Sequence, residues 1–329
     1  MKKLFSLALV TFLALSLAAC ENDEETGETI YVTAYPLHFL AEHLAEGIAE
    51  VKYVPGAQAH AEHHDWSATQ IIDMQDADLL IYVGAGLDPY IDRNRDSVFK
   101  DQNVSLLRLE DYLDIIEVKM IHDHDHDHDD HNDHDDHNDH DDYDEDDAEY
   151  MPDPHFWLDV GRMIEAADVV KDHLVDLFED QESRIRNNHR TLNTLLTKLH
   201  EDFQSALAEA ERPLITNVNL FSYFEDAYGL DITPFSLHAH AHENEPIPGD
   251  FGHFIDKATE NELDYLLFEK HANSPAGDQL LSEIRQERPD MEKLYLHPLG
   301  FPTNTEIDEG VNYITAMYDN LESLIKALE

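Results

Sequence analysis

Short apolar runs alternating with amphipathic stretches set the plan of this chain. Residues 30–34 (IYVTA) read as a buried strand, and the spacing of apolar positions predicts a helix over 36–49. A second strand is expected at 51–54, a helix at 68–75, and a third strand at 78–83 (DLLIYV), stopped by Gly84-Ala85-Gly86. Another strand is expected at 104–109. Beyond residue 212 the rhythm resumes, with strands at 213–216, 231–235, 265–268 and 293–296 separated by helical stretches. Such alternation predicts an α/β fold of mainly parallel sheets with helices on both faces. Between the two sets runs a helical region of about residues 160–210, with a break expected near 180–183. Leu192, Leu195, Leu196, Leu199, Phe203 and Leu207 fall on one stripe there. A stripe of this kind packs a core, and its length predicts a stiff strut between two α/β lobes.

One segment breaks the rhythm. Residues 121–149 carry HDHDHDHDDHNDHDDHNDHDDYDEDDAE, with His122, His124, His126, His128, His131, His134, His137 and His140 set among acids. So little apolar surface cannot offset the entropy of ordering the chain, so the tract is expected to be a solvated loop. Imidazole and carboxylate suit borderline divalent ions, zinc above all. The loop is therefore expected to gather metal weakly and to release it as its imidazoles protonate near pH 6.5 or below. Charge points the same way. The chain has 72 acidic and 21 basic residues, and 56 acids remain after the 14 Asp and 2 Glu of residues 123–149 are set aside. Such a surface attracts cations and repels nucleic acid, and outside the tract it equally fits a general adaptation to salt or high pH.

The start of the chain gives an address. Met1-Lys2-Lys3 is cationic, and residues 4–19 are an apolar run too short to span a bilayer comfortably. It closes on Leu17-Ala18-Ala19-Cys20, which resembles a bacterial lipobox. Residues 1–20 are thus expected to be a lipoprotein signal peptide with Cys20 as the lipidated residue, and 21–29 a tether. The expected location is the outer face of the cytoplasmic membrane. A single cysteine excludes an internal disulfide.

Four stretches can hold a metal tightly: His64-Asp65-Trp66, DPHFWLD at 153–159, LHAHAHENEP at 237–246, and His297-Pro298-Leu299-Gly300. Each lies at or just after an expected strand end, where open α/β sheets build ligand crevices. Together with QDADLLIYVGAGLDPYIDR (75–93), SYFEDAYGL (222–230), EPIP (245–248) and LLFEKHANS (266–274), they run in the order seen in metal-binding lipoproteins of bacterial ABC importers. The chain resembles the zinc-type, cluster A-I solute-binding proteins. That resemblance implies two pseudo-symmetric α/β lobes joined by one rigid helix, with the metal site in the cleft between them. The lobes are placed at 30–160 and 213–329, and the helical region at 161–212.

The resemblance also implies the ligands. His64 and His155 match the family's two N-lobe histidines. The match then departs twice, with Val218 at the third ligand position and His297 where the family has an aspartate. A histidine of the HAHAH loop is expected to substitute for Val218, His240 first and His238 or His242 as alternatives, with Glu269 in support. A site of neutral imidazoles favours Zn2+ over Mn2+, with Cu2+ and Ni2+ as competitors. The implied function is high-affinity zinc capture by a monomer that delivers the ion to an ABC permease and its ATPase. The alternative is a cell-surface metal buffer or adhesin. Enzymatic activity is not expected, since no H-E-x-x-H, phosphate loop or dinucleotide fingerprint occurs.

Overall fold

Apolar strands that are buried on both faces organise each half of the molecule. The computed structural model describes residues 27–57, 66–120, 149–240 and 251–329. The leader with Cys20, His64, His242 and the eight histidines of residues 122–140 lie outside the described residues.

The first sheet comprises β1 (Thr29–Val32), β2 (Glu50–Tyr53), β3 (Leu79–Tyr82) and β4 (Ser105–Arg108), in the order β2-β1-β3-β4. All pairings are parallel. Its helices are α1 (Tyr35–Leu44), α2 (Ala68–Gln75) and α3 (Pro89–Asn94). Every residue of β3 is buried, as a parallel strand covered on both faces requires. At α2, Ser67 and Gln70 form a reciprocal capping box that starts the helix where the sequence predicts it.

β3 ends in a tight turn. Gly84 has φ +81°, and an added Cβ would lie 2.5 Å from Glu110 Oε2, so only glycine fits. Asp88 closes the turn by accepting the Val83 and Gly84 N–H groups at 2.8 and 3.1 Å. Burial pushes its carboxyl up to about 6, against about 3.9 when unfolded. The folded state therefore favours the neutral acid, so stability falls as pH rises from the unfolded value and the loss is complete above the folded one. Asp88→Asn keeps an acceptor without the charge. It is expected to raise stability by about 1–2 kcal/mol at pH 7 and by little at pH 4. Urea midpoints at both pH values test this, and equal gains at the two would refute it.

After β4 comes an antiparallel hairpin that periodicity does not predict. β5 (Glu117–Met120) pairs with β6 (Glu149–Pro152), with Met120 opposite Glu149. The chain thus leaves for the acidic tract and returns at the same place. α4 (Val160–Leu177) and α5 (Glu182–Leu207) follow, separated by a 3-10 turn at Glu179–Gln181 close to the expected break. The 26 residues of α5 span about 39 Å. Ile185, Leu192, Leu196, Leu199, Phe203 and Leu207 are buried along it. Leu195 departs from the expected stripe and is 45% exposed. At 100° per residue it falls at the stripe's edge.

The second sheet comprises β7 (Leu214–Thr216), β8 (Ile232–Pro234), β9 (Tyr265–Glu269) and β10 (Glu292–Leu296), in the order β8-β7-β9-β10. It repeats the strand order of the first sheet and is likewise parallel. Its helices are α6 (Ser222–Tyr228), α7 (Gly252–Glu260), α8 (Pro275–Ile284), α9 (Asn304–Asp308) and α10 (Tyr313–Leu328).

One apolar core runs through both lobes, from Ile30 and Leu37 through Leu196 and Phe203 to Leu267 and Leu324. Separate clusters cover the outer face of each sheet. The strut is therefore packed into both lobes along its length, which opposes a wide hinge motion. Among the described residues no helix is long and apolar enough to cross a membrane.

Candidate metal centre

Of the described candidate histidines, His155 and His240 meet at the seam between the lobes. His155 follows β6 and opens a 3-10 turn, Phe156–Leu158. It is 4% exposed, and its Nδ1 donates to Asp153 Oδ1 at 2.6 Å. A carboxylate only accepts, so Nδ1 carries the proton and Nε2 carries the lone pair. Asp153 itself is fully buried. Among the described residues its Oδ2 has no hydrogen-bond partner. A buried carboxylate of that kind is costly without a nearby cation.

His240 repeats the arrangement from the other lobe. It lies beyond β8, and its Nδ1 donates to Oε1 of Glu269, the buried last residue of β9, at 2.7 Å. The His155 and His240 rings have centroids 5.3 Å apart with planes at 77°. Two imidazoles sharing a tetrahedral zinc at ordinary Zn–N distances would place their centroids about 5 Å apart.

The loops carrying these residues are fastened to one another. The Trp157 indole N–H donates to the Pro298 carbonyl at 2.9 Å, and the Tyr313 hydroxyl donates to the Trp157 carbonyl at 2.7 Å. The Tyr223 hydroxyl donates to the Asp153 carbonyl at 2.8 Å. Arg162 locks the same seam. Its guanidinium contacts Asp159 at 2.7 Å and Asp226 on α6 at 2.8 Å, and lies 5.0 Å over the Tyr223 ring.

Val218 is fully buried in the shared core and offers no donor side chain. The HAHAH loop passes beside it, because the N–H of Asn219 donates to the His238 carbonyl at 2.9 Å. His238 is buried.

His297 is held in a different setting. It follows β10, is 2% exposed, and its Nδ1 accepts the Leu299 N–H at 2.9 Å. Its backbone is clasped by Asn320, which accepts the His297 N–H at 2.6 Å and donates to its carbonyl at 3.0 Å. A nitrogen that accepts a backbone N–H carries no proton, so the neutral ring holds its proton on Nε2. That nitrogen faces Glu306 Oε1 at 3.4 Å. Burial pushes His297 down to about 4, against the pull of Glu306, which keeps the ring neutral.

Two residues here were not anticipated from the sequence. His271 Nε2 lies 2.8 Å from Glu306 Oε1, and donor atoms of His271, His297 and Glu306 all fall within 4.8 Å of one another. Burial opposes the charge on Glu306, but hydrogen bonds from His271, Thr303 and Lys270 hold its carboxyl below the usual range. The Thr303-x-x-Glu306 spacing is visible in the sequence, but it reads as a helix cap and not as metal chemistry. A cleft of about 180 Å³ opens onto His240, Glu269, His271 and His297.

Known proteins share this plan. Residues 30–327 match the family described as zinc-uptake complex component A, periplasmic. The chain is 24% identical over 328 residues to the zinc-binding lipoprotein AdcA of Streptococcus pneumoniae, covering 98% of this chain and 60% of that protein. It thus spans about three fifths of the length of that relative. It is 25% identical over 338 residues to the high-affinity zinc uptake system protein ZnuA of Bacillus subtilis, covering 99% and 98% of the two chains. Among solved structures, the Zn(II)-bound ZnuA-like domain of Streptococcus pneumoniae AdcA superposes with a TM-score of 0.69 at 20% identity, covering 92% of this chain and 99% of that one. The metal-dependent lipoprotein YcdH of Bacillus subtilis gives 0.71 at 20% identity, with the same coverage. These structures share the fold. With a family match that runs from the first strand to the last helix, the chain belongs to the zinc-uptake complex component A family.

Proposed function

We propose that this protein captures a zinc ion in the cleft between its lobes and delivers it to an ABC-type permease and its ATPase. The observation that carries this reading is the His155–His240 pair. Two imidazoles from opposite lobes stand 5.3 Å apart, each with Nδ1 on a buried carboxylate. That support fixes the tautomer, orients the ring and raises its basicity. His64 is the expected further ligand from the N-lobe. His240 takes the place that Val218 leaves empty, and the bond between Asn219 and His238 brings its loop there. An imidazole-rich set favours zinc over manganese. Lipid on Cys20 is the expected tether that keeps the monomer beside its permease. Because the strut shares one core with both lobes, loading would be signalled by small shifts. The adhesin or buffer alternative is not favoured, since the curated relatives are named for zinc binding and zinc uptake.

Deleting the acidic tract tests this reading against a simple surface buffer. Met120 and Glu149 face each other across the hairpin, so a two-residue Asn-Gly turn can replace residues 121–148. Calorimetry on this variant is expected to retain one tight zinc event while the weak multiple events disappear. Loss of all binding with the tract would mean that the cleft holds no site.

A further inference from the structure

Glu306 is built as a fixed carboxylate with one oxygen turned to side chains that line the cleft. As the third residue of α9 it closes a capping box, with Oε2 accepting from the Thr303 N–H at 2.9 Å and the Thr303 hydroxyl at 3.0 Å. Its Oε1 gathers two donors, His271 Nε2 at 2.8 Å and Lys270 Nζ at 2.9 Å, while the buried His297 Nε2 stands 3.4 Å away and, among the described residues, has no hydrogen-bond partner. The carboxylate side chain is 7% exposed, whereas those of Lys270 and His271 are 31% and 43% exposed. So the anion is held in place by its capping box, and both of these donors can swing into solvent. His271 also holds a left-handed backbone, φ +68°, which aims it at this oxygen at some conformational cost.

We propose that Glu306 Oε1 and His271 form a second divalent-cation position on the C-lobe wall of the cleft, which the Lys270 ammonium fills when no ion is present. The proposal rests on the reading of the cleft as a zinc site. Around a tetrahedral zinc, neighbouring ligand atoms stand about 3.3 Å apart, close to the present His271–Glu306 spacing. When the ion arrives, the His271 proton passes from Nε2 to Nδ1 through solvent, and Nε2 and Oε1 each donate a lone pair to the metal. Like charge drives Lys270 outward, and its flexible stem carries the ammonium to water. His297 keeps its proton on Nε2 and stays beside the carboxylate. Two protein ligands and a tethered competitor make a weak position, suited to an ion that enters or leaves the cleft. No sequence motif joins these residues, and the pairing of β9 with β10 brings their loops together.

The test uses the tract-deleted protein, titrated with zinc by calorimetry and with cobalt(II) by visible absorption. Lys270→Met retains the aliphatic stem and is expected to strengthen a second, weaker event by at least about 10-fold. Glu306→Gln retains the capping box, since glutamine serves at that position. It is expected to remove the second event and its cobalt bands while the tight event keeps its affinity. If Glu306→Gln weakens the tight event instead, the cluster belongs to that site and the second position is refuted. Absence of a second event in both the parent and Lys270→Met refutes it equally. Failure of the broader reading looks different, because there the tight event itself would be missing or indifferent to His155.

Discussion

Replacing His155 with alanine is expected to lower zinc affinity of the tract-deleted protein by more than about 100-fold, beyond what loss of a supporting group causes. The ring is buried, and Asp153 sets which of its nitrogens keeps a lone pair. A graded companion separates ligand from scaffold. Asp153→Asn removes the charge that orients the imidazole and is expected to cost about 10–100-fold, with the metal still bound. Competition against a chelator of known affinity reads both, and urea unfolding of the apo forms shows whether the fold persists. Affinity unchanged in a folded His155→Ala protein would remove His155 from the site.

Arg162→Met is expected to produce the largest loss of stability, about 3 kcal/mol or more. The guanidinium sits at the seam with its side chain 9% exposed, paired to an Asp159 carboxylate that is equally sequestered. It also donates through Nε to the Asp114 carbonyl at 2.7 Å and reaches Asp226 across the seam. Methionine fills most of the volume but leaves Asp159 as a buried charge with, among the described residues, only the Gly161 N–H at 2.7 Å to satisfy it. The urea midpoint of the apo protein measures the effect. A shift below about 0.5 kcal/mol would place this cluster among ordinary surface pairs. Because Tyr223 lies under the guanidinium and holds the Asp153 carbonyl, zinc affinity is expected to fall as well.

The elements were legible wherever burial is two-sided. β3 is buried at every position and reads as an unbroken apolar run, and α2 begins at its capping box. β5 and β6 were not legible. Their residues, EVKM and EYMP, mix charged and apolar side chains, and their partners lie on opposite sides of the acidic tract. Pairing at such separation is decided by closure of the chain, and no local pattern records it.

For the site, the sequence determined the inventory. It supplied an unusual number of imidazoles, placed His155 two residues from Asp153, and barred Val218 from coordination. The tertiary structure decided which of these groups face one another. It joined His240 to Glu269, turned the His297 lone pair onto the Leu299 N–H, and set Lys270, His271 and Glu306 around one oxygen. Residue type fixes what a side chain can donate or accept. The direction of each lone pair depends on backbone contacts between loops far apart in the chain, and these exist only once both sheets and the strut have packed.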